Sequence, residues 1–263
     1  MTLDQVKYEV ALGSRIMSNI GLAEGINASM GHVSLRDPSD PNRFIVKGRG
    51  YDIDVLWRMR PEDMVVCDLN GYLVDGPPGV LQCNEVMIHA CVMRARPEIN
   101  SVVHAHPPFC VMLTVLGIPI VPMGIAGIRM IRKPLPVYPR PALITSEAYG
   151  QEMTKCLGDA SAVQLFGHGV TTVGKTMEEA VVGMAQLEHQ AQMNYYACSI
   201  AGRDHPQIPD HLIEEFLAWK PLAEPHFQEA VARRGAARMG GSIWSDLMAK
   251  AADQLAQDRK TSR

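Results

Sequence analysis

Asn100-Ser101-Val102-Val103-His104-Ala105-His106-Pro107 alternates in polarity, is rich in β-branched residues and stops at a proline. That pattern predicts a β-strand over Asn100–His106. On a strand, residues i and i+2 share one face about 7 Å apart, so His104 and His106 can address a single ion. Pro107-Pro108 then suits the first turn of a helix that runs to Gly117. Upstream, residues 83–96 read as a helix stopped by Pro97.

A third imidazole follows at the end of an apolar run. Ala162–Phe166 reads as a strand that enters Gly167-His168-Gly169 and is continued by Val170–Val173. The flanking glycines allow a sharp bend that brings His168 to a crowded point. Three imidazoles suit zinc, and equally manganese or iron. Glu85, near the start of the 83–96 helix, is the fourth candidate, as a ligand or as a general acid/base. His89, one turn further on, reads as a supporting or core residue.

Around this centre, helices and strands intermix. Thr2 with Gln5 forms a capping box for an opening helix, followed by a turn-rich stretch from Gly21 to Gly31. Short strands are predicted at His32–Arg36, Arg43–Lys47 and Met64–Asp68, with Asn70-Gly71 as the hairpin turn leading to Tyr72–Val74. Ser146 caps a helix to Leu157, and Thr176 with Glu179 opens a long one to about Ile200. Beyond it lie an amphipathic stretch, His211–Trp219, a last helix near Trp244, and a polar end from Asp258 to Arg263 that reads as frayed. The class is mixed α/β, with a main domain over residues 1–205 and a helical extension over 206–263.

Composition narrows the function. Of 263 residues, 47% are hydrophobic and 20% charged, and the net charge is −3. Such a chain buries a core without disulfides and offers no basic surface, so neither nucleic acid nor an anionic membrane is an expected partner. Six cysteines without a Cys-x-x-Cys pair read as free thiols, which together with the absence of a leader-like start points to a cytoplasmic protein. No dinucleotide fingerprint, Walker loop or Gly-x-Ser-x-Gly elbow is present.

The order Glu85-Val86-Met87-Ile88-His89, Arg96-Pro97-Glu98, Val102-Val103-His104-Ala105-His106, then Phe166-Gly167-His168-Gly169 and Gly174-Lys175-Thr176 resembles the class II aldolase/adducin family over roughly residues 5–200. The resemblance implies an α/β/α sandwich around a mostly antiparallel sheet, and a homotetramer with active sites between subunits. It also implies a divalent metal held by His104, His106 and His168, with Glu85 at the catalytic glutamate position.

Where sugar-phosphate members of the family carry phosphate-binding Gly-Asn, Thr-x-Ser-Gly and paired serines, this chain has Gly31-His32, Lys47-Gly48-Arg49-Gly50 and Leu81-Gln82-Cys83. A phosphate dianion needs several donors aimed at it. Loss of the hydroxyls with gain of His32, Lys47 and Arg49 argues for a carboxylate instead. Met123–Gly127 also lacks the tyrosine that the family's aldolases tend to carry. The chain is similar to the branch that decarboxylates hydroxylated aromatic or pyridine acids. On that reading Glu85 or His32 supplies the proton, and Lys47, Arg49 and Gln82 bind a small-molecule carboxylic acid. The alternatives are an aldolase or epimerase on a small sugar or hydroxy acid, an iron-dependent oxygenase of an aromatic acid, and a metal-free adducin-like binding module.

Overall fold

A computed structural model describes residues 1–220, 223–234 and 243–261. Nine strands form one sheet: β1 (His32–Arg36), β2 (Arg43–Arg49), β3 (Met64–Asp68), β4 (Leu73–Asp75), β5 (Leu81–Gln82), β6 (Ser101–Ala105), β7 (Val137–Tyr138), β8 (Ala162–Leu165) and β9 (Gly169–Gly174). Their order is β4-β3-β2-β1-β6-β9-β8-β7, with β5 pairing β2 from outside that path. Every pairing is antiparallel except β7 with β8.

Strand alternation divides the core. Phe44, Val46, Val65, Cys67 and Val102 face one side of the sheet, where they meet Ile88 and Val92 of α2 (Val86–Ala95) and Met153 and Leu157 of α5 (Glu147–Leu157). Their neighbours Ile45, Met64, Val66 and Val103 face the other side. There they join α1 (Leu3–Asn19), α3 (Pro108–Leu116), α6 (Met177–Ala201) and α9 (Ile243–Thr261). The product is the α/β/α sandwich around a mostly antiparallel sheet that the family resemblance implies. Among the described residues no helix is long and apolar enough to cross a membrane.

Local chemistry explains most boundaries. Thr2 and Gln5 close the capping box of α1, and Ser146 and Thr176 cap α5 and α6. Gly117 ends α3 at φ 62°, which glycine adopts without strain. Strand β2 runs two residues past Lys47 because Gly48 and Arg49 pair with Gln82 and Leu81. The segment after Phe166 departs from the expected continuation: β8 and β9 form an antiparallel hairpin, so the chain reverses at His168. Gly167, at φ 62°, makes that reversal.

The C-terminal region also differs from its sequence reading. Helix α7 (Asp210–Ala218) is where the amphipathic stretch lies, while α8 (Pro225–Arg234), with Phe227, Ala230 and Val231 at helical spacing, is an element that the sequence reading does not single out. Asp258 is not frayed, because α9 continues through it and packs on α1; residues 262–263 lie outside the described residues. The Arg15 side chain, 1% exposed, donates to Asp258 Oδ2 at 2.7 Å and to Met59 O at 2.8 Å. Asn19 and Gln254 exchange side-chain hydrogen bonds beside it. Asp258→Ala takes the counter-ion from a buried guanidinium. It is expected to cost about 2 kcal/mol, less than a fully buried pair because the carboxylate is one-quarter exposed. Thermal melting followed by circular dichroism should show a drop of roughly 5 °C.

Candidate metal centre

Strand parity brings the site together. His104 shares its face with Val102, the face covered by α2, and Glu85 stands at the N-cap position of that helix. His106 lies just past the end of β6, and the β8–β9 reversal carries His168 to the same place. One ligand atom from each of Glu85, His104, His106 and His168 lies within 4.8 Å of the others. His104 Nε2 is 3.1 Å from His106 Nε2, and Glu85 Oε2 is 3.5 Å from His104 Nε2 and 3.6 Å from His168 Nε2.

The second atoms of two of these residues anchor them. His104 Nδ1 is 3.2 Å from Thr171 Oγ1 on β9, and Glu85 Oε1 accepts from the Ile144 amide at 2.9 Å. Glu85 Oε2 and His104 Nε2 therefore both address the common point. His168 Nδ1 and Nε2 are buried without a hydrogen bond. Buried imidazole nitrogens are rarely left unpaired, and a cation beside Nε2 removes one of the two exceptions. Three imidazoles and a carboxylate in one small volume are a donor set that fits a divalent transition metal.

Electrostatics point the same way. Burial lowers the pKa of His104 well below its ordinary value, with Glu85 opposing, and burial with the neighbouring His168 brings His106 to about 4. Both rings are neutral at pH 7, the form that binds metal. Burial pushes the Glu85 carboxyl up, but the imidazoles of His168, His104 and His32 outweigh it and hold the group below the usual carboxylate range.

Room at the centre is limited. A Cβ on Gly169 would come within 2.6 Å of Ala105 O and 2.7 Å of His106 Cδ2. Gly169→Ala is expected to displace His106 and weaken metal binding at least tenfold, roughly the loss seen when support around a ligand is removed. Titration of the stripped protein with zinc measures it.

Beside this centre opens a cavity of about 200 Å³, lined by His32, Lys47, Arg49, Glu85 and His106 among others. The residues singled out from the sequence occupy different positions there. Arg49 is exposed at the end of β2, and its guanidinium has no partner among the described residues. Lys47 has only 4% of its side chain exposed, and its ammonium donates to Asp54 Oδ1 at 2.7 Å, Ser29 O at 3.1 Å and Asp54 O at 3.4 Å. Its three N–H bonds are thus directed at the wall of the cavity. Gln82 does not line the cavity; its amide donates to Gly71 O.

His32 lies opposite His104 in the β1–β6 register, and its Nδ1 is 2.8 Å from His89 Nε2. His89 is fully buried, and its Nδ1 is 2.7 Å from Ser34 Oγ. The parts played by Asp54, Ser34 and Ile144 have no sequence signal, since each depends on a partner supplied by the fold.

Comparison with known proteins places this geometry in a lineage. Residues 9–195 match the model of the class II aldolase and adducin N-terminal domain. The 3,4-dihydroxyphthalate decarboxylase of Terrabacter sp. (strain DBF63) is 34% identical over 240 residues, covering 88% of this chain and 95% of that protein. The enzyme of the same name from Arthrobacter keyseri is 33% identical over 215 residues, with 76% and 85% covered. Among solved structures, the L-fuculose 1-phosphate aldolase from Glaciozyma antarctica PI12 superposes with a TM-score of 0.67 at 22% identity, over 88% of this chain and 90% of that one. The chain belongs to the class II aldolase and adducin family.

Proposed function

We propose that this chain is a metal-dependent decarboxylase that removes CO2 from a hydroxylated aromatic acid bearing a second carboxylate. The observation that carries the reading is the unpaired Arg49 guanidinium beside the Glu85–histidine cluster, in a chain one-third identical to 3,4-dihydroxyphthalate decarboxylases. His104, His106 and His168 would hold the divalent ion, with zinc, manganese and iron all compatible with the donors. When bound, that ion draws electron density from an oxygen next to the scissile carbon, which is what carbanion-like chemistry requires.

The remaining steps belong to the chain. Arg49 forks onto the carboxylate that is retained and orients the ring. Lys47, braced by Asp54, adds positive charge to the same wall. Glu85 Oε2, on the ionised carboxylate, accepts the proton of the hydroxyl beside the reacting carboxylate. The same oxygen returns that proton to the ring carbon bearing the carboxylate. The carbon–carboxylate bond then breaks, CO2 leaves, and the bonding pair re-enters the ring and restores aromaticity. The product phenoxide regains a proton from water, so atoms and charge balance. Active sites shared between the subunits of a tetramer fit this cavity, whose Arg49 side is open.

Two measurements test the proposal. Zinc- or manganese-reconstituted protein is expected to release CO2 from 3,4-dihydroxyphthalate or a related ortho-hydroxylated dicarboxylate, and to stop when a chelator is added. Cleavage of a sugar phosphate with no CO2 from any acid would return the chain to aldolase chemistry. Arg49→Ala is expected to raise KM by roughly 10- to 100-fold, the worth of a charge-assisted bond. Unchanged KM and kcat would remove Arg49 from the site.

A further inference from the structure

The bonds from His32 into the protein end at a group that can only accept. Ser34 Oγ lies 3.3 Å from Val102 O, which can only accept, and 2.7 Å from His89 Nδ1. His89 Nε2 in turn is 2.8 Å from His32 Nδ1. His32 and Ser34 share one face of β1, opposite His104 and Val102, and His89 reaches them from α2. Ser34 and His89 are fully buried, and His32 is 6% exposed. The row leaves the protein at one point, the second nitrogen of His32, which lines the cavity.

Protons can be placed along this row in two ways. In one, Ser34 donates to Val102 O, His89 Nδ1–H donates to Ser34, and His32 Nδ1–H donates to His89 Nε2. All three contacts are then hydrogen bonds. In the other, Ser34 donates to His89 Nδ1 and His89 Nε2–H donates to His32 Nδ1. The serine has a single proton, so its bond to Val102 O is lost. Ser34 and His89 are closed off from solvent, so a hydrogen bond given up there is not replaced by bulk water.

We propose that His89 and Ser34 are positioning residues that hold His32 as the Nδ1–H tautomer, so that His32 Nε2 presents a lone pair to the cavity and selects a substrate with a second, protonated hydroxyl. An acceptor at this point repels a carboxylate and takes an O–H donor. The substrate half rests on the aromatic-acid reading above; the tautomer does not. Carboxylate and hydroxyl are thereby sorted to separate places, the first to Arg49 and the second to His32. The substrate class narrows to aromatic dicarboxylates with two neighbouring hydroxyls, one beside the reacting carboxylate and one facing His32.

Neutron diffraction from deuterated, zinc-loaded crystals of the whole chain reads the tautomer directly. Deuterons are expected on Nδ1 of both His32 and His89, with none on His32 Nε2. A deuteron on His32 Nε2, with His89 Nε2 donating, overturns the assignment. Calorimetry on the zinc-loaded protein reads the consequence for substrate choice. 3,4-Dihydroxyphthalate is expected to bind at least about tenfold more tightly than the analogue lacking only the hydroxyl remote from the reacting carboxylate. Ser34→Ala should reduce that preference to near unity, and Ser34→Thr, which keeps the hydroxyl, should restore it; a packing defect alone would weaken both ligands together. Equal binding by the wild-type protein overturns the hydroxyl assignment. If neither phthalate binds, the aromatic-acid reading fails, and the neutron map decides the tautomer by itself.

Discussion

Replacing His104 with alanine is expected to abolish both metal retention and turnover. His104 is wholly buried, its Nδ1 is tied to Thr171, and its Nε2 lies between His106 and Glu85. Alanine removes one of the three imidazoles and with it a donor fixed at the common point. The electrostatic stabilisation then lost is several kcal/mol, so a fall in kcat of roughly a thousandfold or more follows. Metal analysis after dialysis should find the variant empty where the wild type is loaded. Chelator-treated wild type should match the variant and recover on adding back the ion, whereas the variant should not. A His104→Ala protein that keeps both its metal and its activity would show that the centre lies elsewhere.

Glu85→Gln separates two roles that share one side chain. Glutamine keeps the shape, and its Oε1 still accepts from the Ile144 amide, but it cannot carry a proton. If Glu85 moves the proton while three histidines hold the ion, metal content stays near that of the wild type. In that case kcat falls by about 10²- to 10⁴-fold, the range for a positioned acid/base. KM should change little if Arg49 holds the retained carboxylate, since that contact is untouched. Loss of metal along with activity would instead make Glu85 a ligand, and the proton carrier would have to be sought at His32.

The two site features legible in the sequence are those in which the information is local. His104 lies on β6 and His106 one residue past its end, and the period of two of an extended backbone suffices to bring both to the common point. The glycines around His168 announce a bend. They do not say whether the chain resumes its direction or reverses, because an apolar run followed by Gly-x-Gly has the same pattern in both cases. The hairpin follows from pairing β8 with β9, a non-local choice.

Lys47 shows the same limit from the other side. In sequence it is a cation beside Arg49 and available to a substrate anion, while in the fold Asp54 and Ser29 claim its three protons. Gln82 is likewise turned to Gly71 by the pairing of β5 with β2. In sequence His89 reads only as a supporting or core residue one turn beyond Glu85. Its relation to His32 and Ser34 arises from the register of β1 on β6 and from the way α2 lies across them. The two-residue strands β5 and β7 are too short for periodicity to register. Residue patterns alone mark the mixed α/β class, through β-branched runs and helices that carry their own caps; the antiparallel sandwich is what the family resemblance adds.

The Arg15–Asp258 pair spans 243 positions along the chain and ties helix α1 to helix α9. During synthesis, α1 is made long before α9, so its guanidinium waits for most of the domain before it meets Asp258. Until then the apolar face that will accept Ala251 and Leu255 stays open. Closure of such a distant contact is a late, entropically slow event. Arg15 also holds Met59 O, and Leu56 donates to Ala28 O, one residue from the Ser29 that lines the cavity. The cavity wall thus acquires its final rigidity only once α9 has been made and has docked.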